Sequence, residues 1–351
     1  MSISASGQVV LAQYARITRR RMFFMAALVL VVLLALLADL CTGPSGLTVA
    51  QIWSAVVGDE TTSRSTAVII WQIRLPTALM ALLVGTALSL AGAEMQTILD
   101  NPLASPFTLG ISAAAALGAA LMMVLGVGVL PLPVDMSVAG NAFLFAFLCT
   151  LLLQFITSKV KGGPEVLVLF GIALVFSFNA LLALLQFVAS ADALQQLVFW
   201  SMGSLGRATW PAIAIVFAVV CITLPFSFRA CWQMNALRMG EERARSYGID
   251  VARLRFYSLL RVSLLAGAAV AFTGTIGFVG LVGPHIARML IGEDHRFFLP
   301  ASALAGALMM IGASIASKAI IPGVLLPIGI VTSLVGLPIF FVLIFRRWSK
   351  G

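Results

Sequence analysis

The chain has 351 residues, of which 61% are hydrophobic and only 10% charged, with a formal net charge of +9. An average soluble domain is about a quarter charged, so these proportions exclude a water-soluble globular enzyme, and so much apolar residue also excludes a disordered chain. A mean hydropathy of +1.08 points to a polytopic helical membrane protein.

In chain order the apolar segments are about 22–40, 74–98, 107–127, 138–157, 165–189, 211–228, 256–277, 280–291, 299–316 and 326–345. At roughly 20 residues per span these ten segments fill one membrane domain over 1–351, with no separate soluble domain. The opening stretch MSISASGQVVLAQYARITRRR ends in a basic cluster and runs into the first span with no small-residue cleavage site. It reads as a retained flank rather than a signal peptide. The 280–291 segment is too short to cross a bilayer alone, so a broken or half-length helix buried in protein is expected there.

Charge tests this arrangement independently. With residue 1 cytoplasmic, 18 of the 22 Lys and Arg fall on the inner side, Arg261 and Arg288 among them. Arg64, Arg74, Arg207 and Lys318 alone fall on the outer side. That asymmetry is what the positive-inside rule requires. It makes the basic excess a topology signal and not a nucleic-acid footprint. Both termini are then cytoplasmic.

An internal repeat is also visible. Gly85, Ala87, Gly92, Pro102 and Gly110 match Gly267, Ala269, Gly274, Pro284 and Gly292, each pair 182 residues apart. Five spans per half would make the halves run in opposite directions, an inverted repeat of the kind used by transporters. The expected fold is thus an all-α membrane protein, a ten-helix transmembrane bundle of two inverted five-helix halves.

Catalytic signatures are missing. There is no GxxxxGK[ST], no HExxH and no GxSxG, and the two histidines, His285 and His295, have no neighbouring cysteine. Neither a resident metal nor a cofactor is expected. The four cysteines (Cys41, Cys149, Cys221 and Cys231) are scattered and read as small packing residues. Glu94, near the inner end of the second span, reads as an interfacial or bundle-facing acid, or else as a proton-coupling carboxylate. The second reading keeps an ion-coupled secondary transporter open as the alternative function.

Two polar segments stand out. In MGEERARSY (239–247) the acids come first and Arg243 and Arg245 follow, with Gly248 as a stop, so a short charged helix is expected. It is either a solvated connector or a docking surface for a soluble partner. DNPLASP (100–106) carries two polar–Pro pairs that set turns and helix starts. It is either a rigid turn or a narrow point of a pathway.

These segments and their surroundings resemble a known family. RLPTALMALLVGTALSLAGAEMQTILDNPLASPFTLGISAAAALGAAL is similar to the signature of permease subunits of bacterial ABC importers for iron–siderophores, haem and vitamin B12, the FecCD-type family. LFGIAL (169–174), WSMGSLGRATW (200–210), LRMGEERARSYGI (237–249), GFVGLVGPHIARMLIGEDHRFFLPASALAGA (277–307) and LPIGIVTSLVGLPIFFVLI (326–344) follow in order. The resemblance runs from about residue 45 to the end.

It implies a permease that does no chemistry and passes a chelate, with ferric siderophore ahead of haem and cobalamin, from the periplasm to the cytoplasm across the bacterial inner membrane. It implies a dimer with a second permease, identical or related. Two ATP-binding cassette ATPases that hold the ATP and Mg would dock below, and a periplasmic binding protein above, with membrane lipid around and no nucleic acid. The family's coupling helix falls within 238–249, so Gly240, Glu241, Ala244 and Gly248 become candidates for ATPase contact. Its cytoplasmic gate falls on Asn101 and Leu103, and a second constriction near Gly163, Pro164 and Glu165 has no clear motif match. Arg64, Arg207 and Lys318 are candidates for docking the binding protein. Asp100 stands where the family more often has a basic residue, and Glu94 where an apolar one is usual.

Overall fold

The computed structural model describes residues 5–59, 62–160, 164–321 and 323–348. Ten helices form the membrane bundle: α1 (Ala5–Cys41), α4 (Leu75–Ile98), α5 (Ile111–Leu125), α6 (Val134–Lys159), α7 (Pro164–Val188), α9 (Trp210–Arg229), α12 (Val251–Thr273), α13 (Val279–Ile291), α14 (His295–Ala319) and α15 (Ile328–Trp348). Five short helices sit at the ends: α2 (Val49–Val57), α3 (Arg64–Val68), α8 (Ala191–Ser201), α10 (Cys231–Leu237) and α11 (Glu241–Ser246). A π-helical stretch, Ile69–Arg74, joins α3 to α4. Among the described residues seven helical stretches are long and apolar enough to cross a membrane, and α5, α13 and the apolar part of α15 are shorter. There is no strand among the described residues.

Local chemistry explains the ends. Thr48 and Gln51 form a reciprocal capping box at α2. Ser190, Thr209, Asp250 and Asp294 each accept a backbone N–H at the start of α8, α9, α12 and α14. Each such cap satisfies a donor that the helix leaves free. α8 and α10 lie where the sequence suggested only loop, because short amphipathic helices lack the continuous apolar run that marks a span.

The bundle alternates in direction. On one face the first half of α1 meets the end of α13 and the start of α14, where Arg21 Nε donates to the Ile291 carbonyl at 3.0 Å and Arg21 pairs with Asp294 at 3.2 Å. The end of α4 and the start of α12 share that face, with Arg255 Nε donating to the Ile98 carbonyl at 3.1 Å. On the opposite face the end of α1 meets the end of α14, where Lys318 pairs with Asp39 at 2.8 Å. Since each set of five crossings reverses direction, the first five membrane helices and the last five run inversely.

The 182-residue spacing, however, does not superpose equivalent positions. Gly92 lies inside α4, whereas Gly274 ends α12. Pro102 lies in a turn and Pro284 inside α13; Gly110 starts α5 and Gly292 ends α13. The matches reflect the density of small residues in both halves. Inversion rests on helix order alone.

α4 is the central helix, buried along nearly its whole length against α12, α13 and α14. Small residues permit this. A Cβ on Gly92 would collide with the Gly280 carbonyl, and one on Gly85 with the Gly306 carbonyl. Without a hydrophobic drive between helices in lipid, such close backbone approach is what associates them. α13 has 13 residues, about 20 Å at 1.5 Å per residue, and its first turns are buried. By contrast α7 presents Leu169, Phe176, Leu184 and Phe187 outward.

One assignment from the charge pattern needs correction. Arg261 is not a flanking cation; it lies within α12 and its side chain is 9% exposed. Its guanidinium holds Glu94, which is 0% exposed, through Nε at 3.0 Å and Nη2 at 2.7 Å. Ser227 of α9 also donates to Glu94, and Ser258 accepts from Arg261 at 2.9 Å. A lone acid or cation here would be very costly, and each is present because the other is.

Candidate functional site

The charged helix α11 begins where the sequence places it. Gly240, with φ 108°, precedes it in a backbone conformation that suits glycine, and Gly248, with φ 80°, follows it. Ala244 is fully buried and anchors the helix, with its carbonyl accepting from Ile249 N at 3.1 Å. Glu241 is held at both carboxylate oxygens. Arg245, one turn on, donates to Oε1 at 2.6 Å, and Arg255 of α12 donates to Oε2 at 2.7 Å.

Arg255 carries this site further. Through Nε the same guanidinium donates to the carbonyl of Ile98, the last residue of α4. The candidate gate follows directly. Asp100 turns with φ 47°, and Asn101 N donates to the Gln96 carbonyl at 3.1 Å. The Asn101 side chain accepts from Leu103 N at 2.9 Å, closing an Asx turn. That leaves the Leu103 side chain exposed on the turn. One planar cation thus ties the charged helix to the root of the turn.

A second set of bonds ties the same end of α4 to α13 and α10. Arg288 of α13 donates to Gln96 Oε1 at 3.0 Å and pairs with Glu293 at 2.9 Å, and Arg238, after α10, also pairs with Glu293. Asp294 is the densest node. It accepts from Arg21, Arg296 and Asn235, and Asn235 in turn accepts from the backbone and Nδ1 of His295. The Arg296 hydrogen bond is the main reason the Asp294 carboxyl is held down to about 2, against a partial opposing effect of burial. Burial pushes the Cys231 thiol beside it up to about 11, so it is an inert packing group. The His295 ring is hydrogen-bonded within this knot, 2.7 Å from the Thr97 hydroxyl. No group of three metal-ligating side chains exists among the described residues.

The remaining candidates separate. Gly163 lies outside the described residues, and Pro164 and Glu165 open α7. On the opposite face Arg64 is exposed at the start of α3. Lys318, 8% exposed, is committed to Asp39, which takes it out of the outward-facing set because its charge is already used inside the fold. Arg207 donates to the Thr273 carbonyl at 3.1 Å and lies over the Trp200 ring. Sequence reasoning missed Arg255, Arg288, Asn235 and Asp294, each of which has a partner at least 59 residues away along the chain, Ile98, Gln96, Asp294 and Arg21 among them.

Residues 28–346 match the family model of the FecCD transport family. The chain belongs to that family. It is 36% identical to the hemin transport system permease of Yersinia pestis, over 91% of this chain and 94% of that one. It is also 36% identical to the vitamin B12 import system permease of Klebsiella pneumoniae, over 95% and 96% respectively. Its fold is similar to a solved transporter described as of the metal-chelate ABC type in an inward-facing conformation. That similarity has TM-score 0.81 and 29% identity, over 92% of this chain and 99% of that one. This FecCD member is a multi-pass permease subunit of an ABC importer, and in the family ATP hydrolysis belongs to a separate subunit.

Proposed function

We propose that the chain pairs with a second permease, a copy of itself or a relative, in a bacterial inner membrane with both termini cytoplasmic. Two ATPases dock on the α10–α11 face and hold the ATP and Mg, and a periplasmic binding protein docks on the other. The cargo is an organic chelate: ferric siderophore first, with haem and cobalamin as the other two candidates. The hemin and vitamin B12 permeases among its relatives support that class. Gly240, Glu241 and Gly248 meet the ATPase, whereas Ala244, expected beside them, is fully buried and seats the helix instead; Asn101 and Leu103 narrow the exit, and Arg64 meets the binding protein.

The observation that carries this reading is the bridge from Glu241 through Arg255 to Ile98. A partner that shifts α11 pulls on the base of the gate turn through a single guanidinium. A few kcal/mol of differential binding suffices to shift a two-state element of this kind. Glu94 is engaged by Arg261 and Ser227, which removes the free carboxylate that a proton-coupled mechanism would use. The test is uptake of labelled ferric siderophore, hemin and cobalamin by cells expressing the whole importer. Arg255→Gln is expected to cut ATP-driven uptake by more than about tenfold, the loss of one charge-assisted link, with membrane insertion and ATP hydrolysis retained. Unchanged uptake would overturn the coupling route.

A further inference from the structure

A cavity of about 1130 Å³ opens at the face opposite α11, within a single copy of the chain. Its walls are the 42–45 loop, the start of α4, α8, the 203–207 loop and the end of α14. Ser314 in its wall lies five residues before Ala319, which is ~8 Å down the helix. That is the depth of a headgroup–acyl boundary.

The wall is chiefly apolar, with Ile73, Met123, Phe199, Trp200 and Leu325. Into it project two guanidiniums whose hydrogen bonds go to neutral groups. Arg74 donates to the Leu40 carbonyl at 2.5 Å and to Ser45 Oγ at 2.6 Å, and Arg207 donates to the Thr273 carbonyl. No acid lines the cavity among the described residues. Asp39, behind it, gives Oδ1 to Lys318 and also faces Arg74, so one carboxylate serves two cations and Arg207 has none among the described residues. Ser314 is 1% exposed, and its hydroxyl has no hydrogen-bond partner. Unlike the other buried serines of α14, Ser302 and Ser317, whose hydroxyls donate to carbonyls, it keeps a free donor at the wall.

We propose that this cavity holds an anionic phospholipid of the leaflet on that face. Its phosphodiester sits between Arg74 and Arg207, and an acyl chain lies against Ile73, Met123, Phe199 and Leu325. Guanidinium is the side chain best matched to phosphate oxygens, and an amphiphile alone satisfies both parts of the site. A free anion would leave the apolar wall wet, and a neutral lipid would leave Arg207 without an acidic partner and Arg74 sharing Asp39 with Lys318. Arg207 therefore serves the membrane and not the binding protein.

The full chain is reconstituted in nanodiscs of equal phosphatidylglycerol and phosphatidylcholine, released in detergent and weighed by native mass spectrometry. One phosphatidylglycerol per chain is expected, enriched about tenfold over phosphatidylcholine by its charge-assisted bonds. Arg207→Gln is expected to abolish the preference. Ser314→Phe, which intrudes on the apolar wall and leaves every cation in place, is expected to lower lipid retention with the elution of a folded chain preserved, so the proposal is tested even where Arg207→Gln fails to fold. Equal retention of the two lipids by the unaltered chain would overturn the proposal. Retained preference in both variants, or full displacement of the lipid by millimolar inorganic phosphate, would do so as well.

Discussion

Two ion pairs in this molecule involve an arginine of α12, and they differ in kind. Arg261 lies nearly three turns inside the helix and grips Glu94 where both side chains are buried. Arg255 lies in the second turn and grips Glu241, with 18% and 30% of the two side chains exposed. The inner pair joins three helices that are already packed, so it fixes one arrangement. The outer pair joins a surface helix to the end of α4 across a polar face, so it can be remade. A buried charge needs its partner to exist at all, whereas a half-exposed one can exchange its partner for water or for another protein.

The largest effect expected from breaking this contrast is at the inner pair. Glu94→Ala should destabilise the protein by about 3–5 kcal/mol, because Arg261 is left buried and unpaired. Thermal melting in detergent measures it. The double variant Glu94→Leu with Arg261→Leu should recover most of the loss, which separates the penalty of a lone charge from the worth of the pair. The corresponding change at the outer pair, Arg255→Gln, should leave melting nearly unchanged while uptake falls.

Proton titration sharpens the comparison next. The folded carboxyl of Asp294 is held at about 2, below the ordinary aspartate value of about 3.9. A depressed folded pKa means the stability it confers is complete above the unfolded value and is lost as pH falls through the folded one. Melting temperature should therefore drop between about pH 4 and pH 2, and Asp294→Asn should flatten that part of the curve. The smallest effect concerns Arg64. Reversing it to Glu should slow association with the binding protein and reduce its salt dependence, since exposed charges act on encounter more than on affinity. Stopped-flow binding at two ionic strengths reads both.

Much of the fold was legible because a span announces itself by a long apolar run, and none of the ten segments needs a partner to be recognised. α11 was legible for a similar local reason: Glu241, Arg245 and Gly248 write its start, its face and its end in ten residues. What sequence hides is pairing. Arg261 looks like a flanking cation until α4 brings Glu94 beside it. Lys318 looks free until Asp39 approaches from the other end of the chain. Asp294 looks like an ordinary helix cap, and nothing near it in sequence foretells Arg21 or Asn235. The small residues mislead in the opposite way. Gly85, Gly92, Gly267 and Gly274 suggested a residue-by-residue repeat, but Gly85, Gly92 and Gly274 are set by the backbones they touch and Gly267 by the Phe143 side chain, and α4 touches α13 and α14 rather than mirroring α12 position for position.

The contact of Gly92 with Gly280, and of Gly85 with Gly306, has a mechanical consequence. Helices touching backbone to backbone have no side chains between them to swing aside, and Ser89 Oγ bonds the Ser302 carbonyl across the same seam at 2.5 Å. α4, α13 and α14 thus travel as one rigid spine. A change of shape is therefore expected to carry those three helices together and to bend among the outer ones, of which α7 leaves Leu169, Phe176, Leu184 and Phe187 uncovered.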